Sequence, residues 1–140
     1  MVDKNNTVAV SGGFDPVHVG HVRMIRDAAN TGGVVIILNT DAWLTRKKGY
    51  VFMPFEERKE ILESIKGVKS VVAAEDDDGT VSITLGKIRP THFANGGDRG
   101  IANTPEMQVC KKYGIQMLWN VGGKKIQSSS ELVDVMRDVK

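Results

Sequence analysis

Two imidazoles three residues apart, His18 and His21, come just after a short apolar run, Val8-Ala9-Val10, and a glycine pair, Gly12 and Gly13. The β-branched run reads as a buried strand. The glycines end it and let backbone approach a ligand closely. Pro16 stiffens the turn that follows. With a helix starting beside His18, both rings share one face of its first turn. The unpaired backbone N–H groups and the positive end of the dipole point the same way. That combination is a cradle for a polyanion, because an imidazole either donates a hydrogen bond or carries a proton. Other stretches offer related chemistry. Arg46, Lys47 and Lys48 are three consecutive cations after a second apolar run. Gly96-Gly97-Asp98 supplies close backbone approach and a carboxylate. Ser128-Ser129-Ser130-Glu131 supplies hydroxyls and a capping box at another helix start.

These residues need a scaffold, and the hydrophobic pattern predicts a βα rhythm. A strand over 7–10 leads to a helix over 19–30, with Val22, Ile25 and Ala29 as its inner stripe. Gly32 and Gly33 stop that helix. Val34 to Leu38 is continuously apolar, as in a strand buried on both faces of a parallel sheet. Asn39-Thr40-Asp41 falls at its carboxyl end, where open α/β sheets place ligands. Residues 42–50 read as a basic loop, either a solvated turn or, in register with Asn-Thr-Asp, a segment able to close over a triphosphate. A helix follows Pro54, with Phe55, Ile61, Leu62 and Ile65 as its core face. A third strand covers 71–73, and an acidic loop covers Glu75 to Asp78. Residues 80–88 fit both a strand and a helix, and the rhythm favours a helix. A fourth strand spans 91–95, a helix opens at Thr104-Pro105, a fifth strand spans 115–119, and a last helix runs to Val139.

The chain has 140 residues, enough for one domain with its own core, predicted over 1–140. Apolar residues make up 41% and charged residues 26%, ordinary for a globular protein. A net charge of +2 is too mild to argue for nucleic acid. No apolar run reaches membrane-spanning length. The N-terminus carries no signal peptide, and the single cysteine, Cys110, fits a reducing compartment, so a cytoplasmic location is expected. Cys110 falls inside a helix and reads as a small buried hydrophobe.

Gly-Phe-Asp-Pro-Val-His-Val-Gly-His resembles the His-x-Gly-His signature of the nucleotidyltransferase superfamily, which includes cytidylyltransferases and small adenylyltransferases. Asn-Thr-Asp, the basic loop, Glu-x-Arg at 56–58, Gly-Gly-Asp and Ser-Ser-Ser follow in the family's order, from Val8 to Val135. The resemblance implies a Rossmann-like, doubly wound five-stranded parallel sheet with helices on both faces. It also implies transfer of a nucleoside monophosphate from CTP or ATP to a phosphorylated small molecule, with Mg²⁺ accompanying the nucleotide. His18, His21 and Lys48 then take catalytic roles. Gly12, Gly13, Phe14, Gly20, Lys47, Gly97, Asp98, Ser128, Ser129 and Ser130 bind nucleotide. Asp15, Asp41, Arg46 and Arg58 bind the acceptor, and no residues form a metal cage. The family's glycerol-phosphate type has an arginine where Gly123 stands here, beside Lys124 and Lys125. Gly-Gly-Asp and Asn-Thr-Asp favour the heptose-phosphate adenylyltransferase type. Pro-Phe-Glu-Glu-Arg and the chain length favour cytidylyl transfer to glycerol 3-phosphate or a similar polyol phosphate. Relatives often dimerise, but the sequence locates no interface. A nucleotide-binding sensor without turnover and a flavodoxin-like electron carrier are the rival readings.

Overall fold

The computed structural model describes residues 5–75, 81–96 and 105–121. Five strands form one parallel sheet: β1 (Thr7–Gly12), β2 (Gly33–Leu38), β3 (Val68–Ala73), β4 (His92–Gly96) and β5 (Gln116–Val121). Their order is β3-β2-β1-β4-β5. Five helices connect them: α1 (Val19–Ala28), α2 (Asp41–Lys48), α3 (Phe55–Glu63), α4 (Ser82–Ile88) and α5 (Pro105–Tyr113). This is an α/β, Rossmann-like doubly wound sheet, as the rhythm and the resemblance imply.

The core divides by strand alternation, since successive side chains leave opposite faces of a sheet. Val8 and Val10 of β1 pack with Ile25 and Ala28 of α1 and Leu62 of α3. Ala9 between them turns to the other face, with Leu85 of α4, Phe93 and Cys110 of α5. The first two crossovers therefore cover one face and the last two cover the other. Strand order reverses between β1 and β4, so the crevice outside their carboxyl ends is the switch point where such sheets bind ligands.

Two elements depart from the sequence expectations, and the ambiguous 80–88 stretch takes the helical form that the rhythm favours. Residues 41–48, expected as a loop, form helix α2. Thr40 caps it by accepting from the Trp43 N–H, and Gly49 ends it at φ +84°. Asp41 stands in the first turn and the three cations in the last, the arrangement a helix dipole favours. In α3 the inward face carries the buried Arg58 and Leu62, with the partly buried Phe55 on the helix and Ile65 just past it, and Ile61 faces outward. The ambiguous 80–88 stretch is helical over Ser82–Ile88. Val81, Thr84 and Leu85 point inward and Ile83 outward, a helical spacing that fits no strand.

Candidate active site

The chain leaves β1 through Gly12 and Gly13 and turns at Phe14, whose φ is +50°. An L residue seldom adopts that conformation. Packing holds it, because the ring is buried beneath the turn. A Cβ placed on Gly12 would lie 3.1 Å from Phe14 Cε2. The Phe14 ring centroid lies 4.6 Å from that of His21.

His18 is the N-cap of α1, with extended backbone. Its Nδ1 accepts the Gly20 N–H at 3.1 Å, and His21 Nδ1 accepts the His18 N–H at 3.2 Å. The two histidines thus form a reciprocal capping box, a job usually done by Ser or Thr with Glu or Gln. Their rings stack with centroids 3.8 Å apart. An Nδ1 that accepts carries no hydrogen, so each ring is the neutral tautomer with its proton on Nε2. Gly20 is required by this cap, since a Cβ there would stand 2.9 Å from His18 Cε1.

This geometry corrects one expectation. The first-turn N–H groups do not all face a ligand. The His18 ring takes that of Gly20, and the His18 carbonyl takes those of His21 and Val22 at 3.0 and 3.2 Å. What each ring keeps is its Nε2–H, the nitrogen that the cap does not use.

Asp15 and Arg58 lie deeper than their expected acceptor-binding roles require. Asp15 has no exposed surface, and its carboxylate accepts the N–H groups of Phe52 and Met53 at 2.7 and 2.5 Å. Arg58 is also fully buried. Its guanidinium donates to the carbonyls of Gly13, Asn39 and Met53 and pairs with Asp41 Oδ1 at 2.6 Å. Asp41 itself is half exposed at the carboxyl end of β2.

The cations of α2 sit at its far end, about 10 Å along the axis from Asp41. Lys47 lays its ammonium over the Trp43 ring, 4.8 Å from the centroid. Arg46 and Lys48 share that last turn. Gly97, Asp98, Lys124, Lys125, Ser128, Ser129 and Ser130 fall outside the described residues. Gly13 packs against Leu44 of α2: a Cβ on Gly13 would stand 3.1 Å from Leu44 Cδ2.

Sequence reasoning missed the structural use of Thr40 and the burial of Glu106. Thr40, before an acidic first turn, was a readable N-cap signal. Glu106 opens α5 and is 5% exposed, with Oε2 lacking a hydrogen-bond partner among the described residues. Burial, and then the Glu106 carboxylate, push the Cys110 thiol up, so Cys110 is no ready nucleophile. His92, the third histidine, opens β4 at the opposite end of the sheet and contacts Thr91. Among the described residues no three His, Cys, Asp or Glu side chains gather around one metal position. Among them, too, no helix is long and apolar enough to cross a membrane.

The sequence profile of the cytidylyltransferase-like family matches residues 9–140. Bifunctional protein HldE of Streptomyces coelicolor is 33% identical over 117 residues, covering 81% of this chain and 25% of that protein. FAD synthase of Ferroglobus placidus is 27% identical over 109 residues, covering 78% of this chain and 70% of that protein. HldE of Geobacter sulfurreducens is 29% identical over 131 residues, covering 90% of this chain. The chain spans about a quarter of the length of the HldE relatives, 25% and 26%. In three dimensions it is similar to a lipopolysaccharide core biosynthesis protein from Thermoplasma volcanium. The TM-score is 0.66 at 17% identity, over 86% of this chain and 98% of that one, a likeness of fold.

Proposed function

The chain belongs to the cytidylyltransferase-like family, a family of nucleotidyltransferases, and from that premise we propose that it transfers a nucleoside monophosphate from ATP or CTP to a small phosphorylated sugar or polyol, releasing pyrophosphate. The observation that carries the reading is the histidine capping box. It fixes two neutral Nε2–H donors side by side next to the sheet's switch point.

A phosphate oxygen of the acceptor attacks the α-phosphorus, and the bond from that phosphorus to the pyrophosphate oxygen breaks. The attacking oxygen is already anionic, so no protein nucleophile or strong base is needed. Positioning and charge stabilisation carry the catalysis. In this reading His18 and His21 donate to oxygens of the α- and β-phosphates as charge develops. As neutral rings locked by their caps, they act as donors and not as bases. Gly12, Gly13, Phe14 and Gly20 shape the turn that receives the triphosphate. Lys47 or Lys48 neutralises the departing pyrophosphate, and Ser128 to Ser130 bind β- and γ-oxygens. Gly97 and Asp98 receive the base and ribose. Asp41, with one oxygen held by Arg58, offers the other to acceptor hydroxyls, and Arg46 faces the acceptor's phosphate. Mg²⁺ arrives as part of the nucleotide substrate, held mainly by phosphate oxygens and water.

ATP is the first nucleotide to test. Gly-Gly-Asp and Asn-Thr-Asp point to the adenylyltransferase type. A FAD synthase among the relatives makes a product in which AMP is joined to a phosphorylated flavin. The Pro-Phe-Glu-Glu-Arg helix, which spoke for glycerol 3-phosphate and CTP, owes its arginine to a buried scaffold contact, and so says little about the acceptor. The test is pyrophosphate release with Mg²⁺ from each of the four NTPs against a panel of sugar and polyol phosphates. Release with one NTP and one acceptor is expected. Tight NTP binding with no release across the panel would favour the sensor reading.

A further inference from the structure

Among the described side chains, Arg58 is the largest that folding removes entirely from water. Its charge is permanent. The other inward positions of α3, Phe55 and Leu62, are apolar, as is Ile65 just past its end. An apolar side chain of similar volume at a site like this is often neutral or stabilising, so stability alone does not account for the arginine.

Its partners point elsewhere. Nη1 donates to Gly13 O and to Asn39 O, both at 2.8 Å. Nε donates to Met53 O at 2.9 Å, and Nη2 to Asp41 Oδ1 at 2.6 Å. These four acceptors belong to four segments: the turn after β1, the end of β2, the loop before α3 and the first turn of α2. Asp15 closes the same clasp from the other side. It accepts the Met53 N–H while Arg58 takes the Met53 carbonyl, so one peptide segment is gripped at both polar groups.

We infer that Arg58 is a positioning residue: its buried guanidinium fixes the turn that carries the histidine pair against Asp41 and the cationic helix α2. Arg58 touches no substrate. It acts through the carbonyls of Gly13 and Asn39 and the carboxylate of Asp41. A planar fork is needed, because an ammonium donates from a single atom and cannot span four acceptors that lie in different directions.

The kinetic side of this inference rests on the nucleotidyl-transfer reading. The test compares Arg58→Lys with Leu62→Ala, a buried change on the same helix and the same face that touches none of the four segments' polar groups. Both are assayed at a temperature where circular dichroism shows them folded. Arg58→Lys is expected to lower kcat at least about thirtyfold, with nucleotide KM within about threefold, since small misplacements of reacting groups are expensive in rate. Leu62→Ala is expected to keep kcat within about threefold. The inference is overturned if folded Arg58→Lys keeps kcat within that margin, if its loss falls on KM alone, or if Leu62→Ala loses as much. Should Arg58→Lys not fold, Asp41→Asn removes the charge from one of the four acceptors and is expected to lower kcat about fivefold; an unchanged kcat then counts against the inference. If the wild-type chain releases no pyrophosphate with any NTP and acceptor, the nucleotidyl-transfer reading has failed, and the clasp is read by amide exchange. The Phe52 and Met53 amides should exchange at least about tenfold faster in Arg58→Lys (in Asp41→Asn, should Arg58→Lys not fold), with Ile36 of β2 unchanged. Unchanged exchange at Phe52 and Met53 would overturn the clasp itself.

Discussion

Helices α1 and α2 begin at the same edge of the sheet, one after β1 and one after β2, and their N-termini are built in opposite ways. At α1 the cap is made of two imidazoles, and the first turn holds no acidic residue. At α2 the cap is the Thr40 hydroxyl, and Asp41 puts a carboxylate in the first turn. A helix N-terminus attracts anions through its dipole and unpaired N–H groups. Each cap consumes one of those N–H groups, that of Gly20 at α1 and that of Trp43 at α2. The histidine cap supplies new donors in the same place, because a ring that accepts at Nδ1 still donates at Nε2. The threonine cap keeps one hydroxyl hydrogen, but the carboxylate beside it opposes an anion. In the proposed reaction the capping chemistry assigns the triphosphate to the first helix end and leaves the second for acceptor hydroxyls, with its cations kept at the other end.

The sharpest way to break this comparison is to keep the cap and remove the ring. His18→Asn retains a good N-cap and loses the Nε2–H. Turnover in pyrophosphate release should fall at least about a hundredfold, the usual loss for a preorganised donor to developing charge. Urea unfolding should move by less than about 0.5 kcal/mol. His21→Ala should lose as much turnover with the fold intact by circular dichroism. Near-wild-type turnover in either would remove the histidines from the chemistry and make the two helix ends equivalent.

Next in size is the charge at α2. Asp41→Asn leaves the buried Arg58 guanidinium with carbonyl partners only. Removing one member of a buried pair costs about 3–5 kcal/mol, and the half-exposed Asp41 side chain reduces that to roughly 2 kcal/mol. The urea midpoint measures it. An unchanged midpoint would mean that solvent already carries that charge, and that α2 is not tied to the buried cation.

A smaller effect is expected at Gly20. A Cβ there meets the His18 ring at 2.9 Å, so the ring must swing off its cap. Gly20→Ala should lower turnover about tenfold, in kcat more than in KM, because the donor moves without leaving. Unaltered kcat would show that the ring has room and that its position is not fixed by the cap.

How far these contrasts could be read in the sequence follows from the range of the interactions involved. The β1 and β2 runs, the glycine stops and the helix after Val19 were legible because hydrophobic period and termination are local. So was the pairing of His18 with His21, which three-residue spacing alone puts on one helix face. What was not legible needed contacts distant in the chain. The burial of Arg58, expected to bind the acceptor, depends on Gly13 and Asn39, 45 and 19 residues away, as its hydrogen-bond acceptors. Asp15 looked like a ligand for substrate until the amides of the 52–53 segment closed on it. Helix α2 was a different kind of miss. Its cap, its acidic first turn, its basic last turn and Gly49 were all in the sequence, and the run of cations drew attention away from them.

The smallest effect separates capping from catalysis at the second helix. Thr40 Oγ1 accepts the Trp43 N–H at 3.2 Å. Thr40→Ala should destabilise the fold by about 1 kcal/mol, read from the urea midpoint. It should leave turnover within about twofold, because the Asp41 carboxylate beside this cap keeps the triphosphate away from it. Arg58 holds Asp41 whatever becomes of the cap, so the carboxylate keeps its place even if the first turn frays. A tenfold fall in turnover with a small loss of stability would instead put the N-terminus of α2 in contact with a phosphate. The contrast between the two helix ends would then be one of degree, and Asp41 would have to be screened by the metal that travels with the nucleotide.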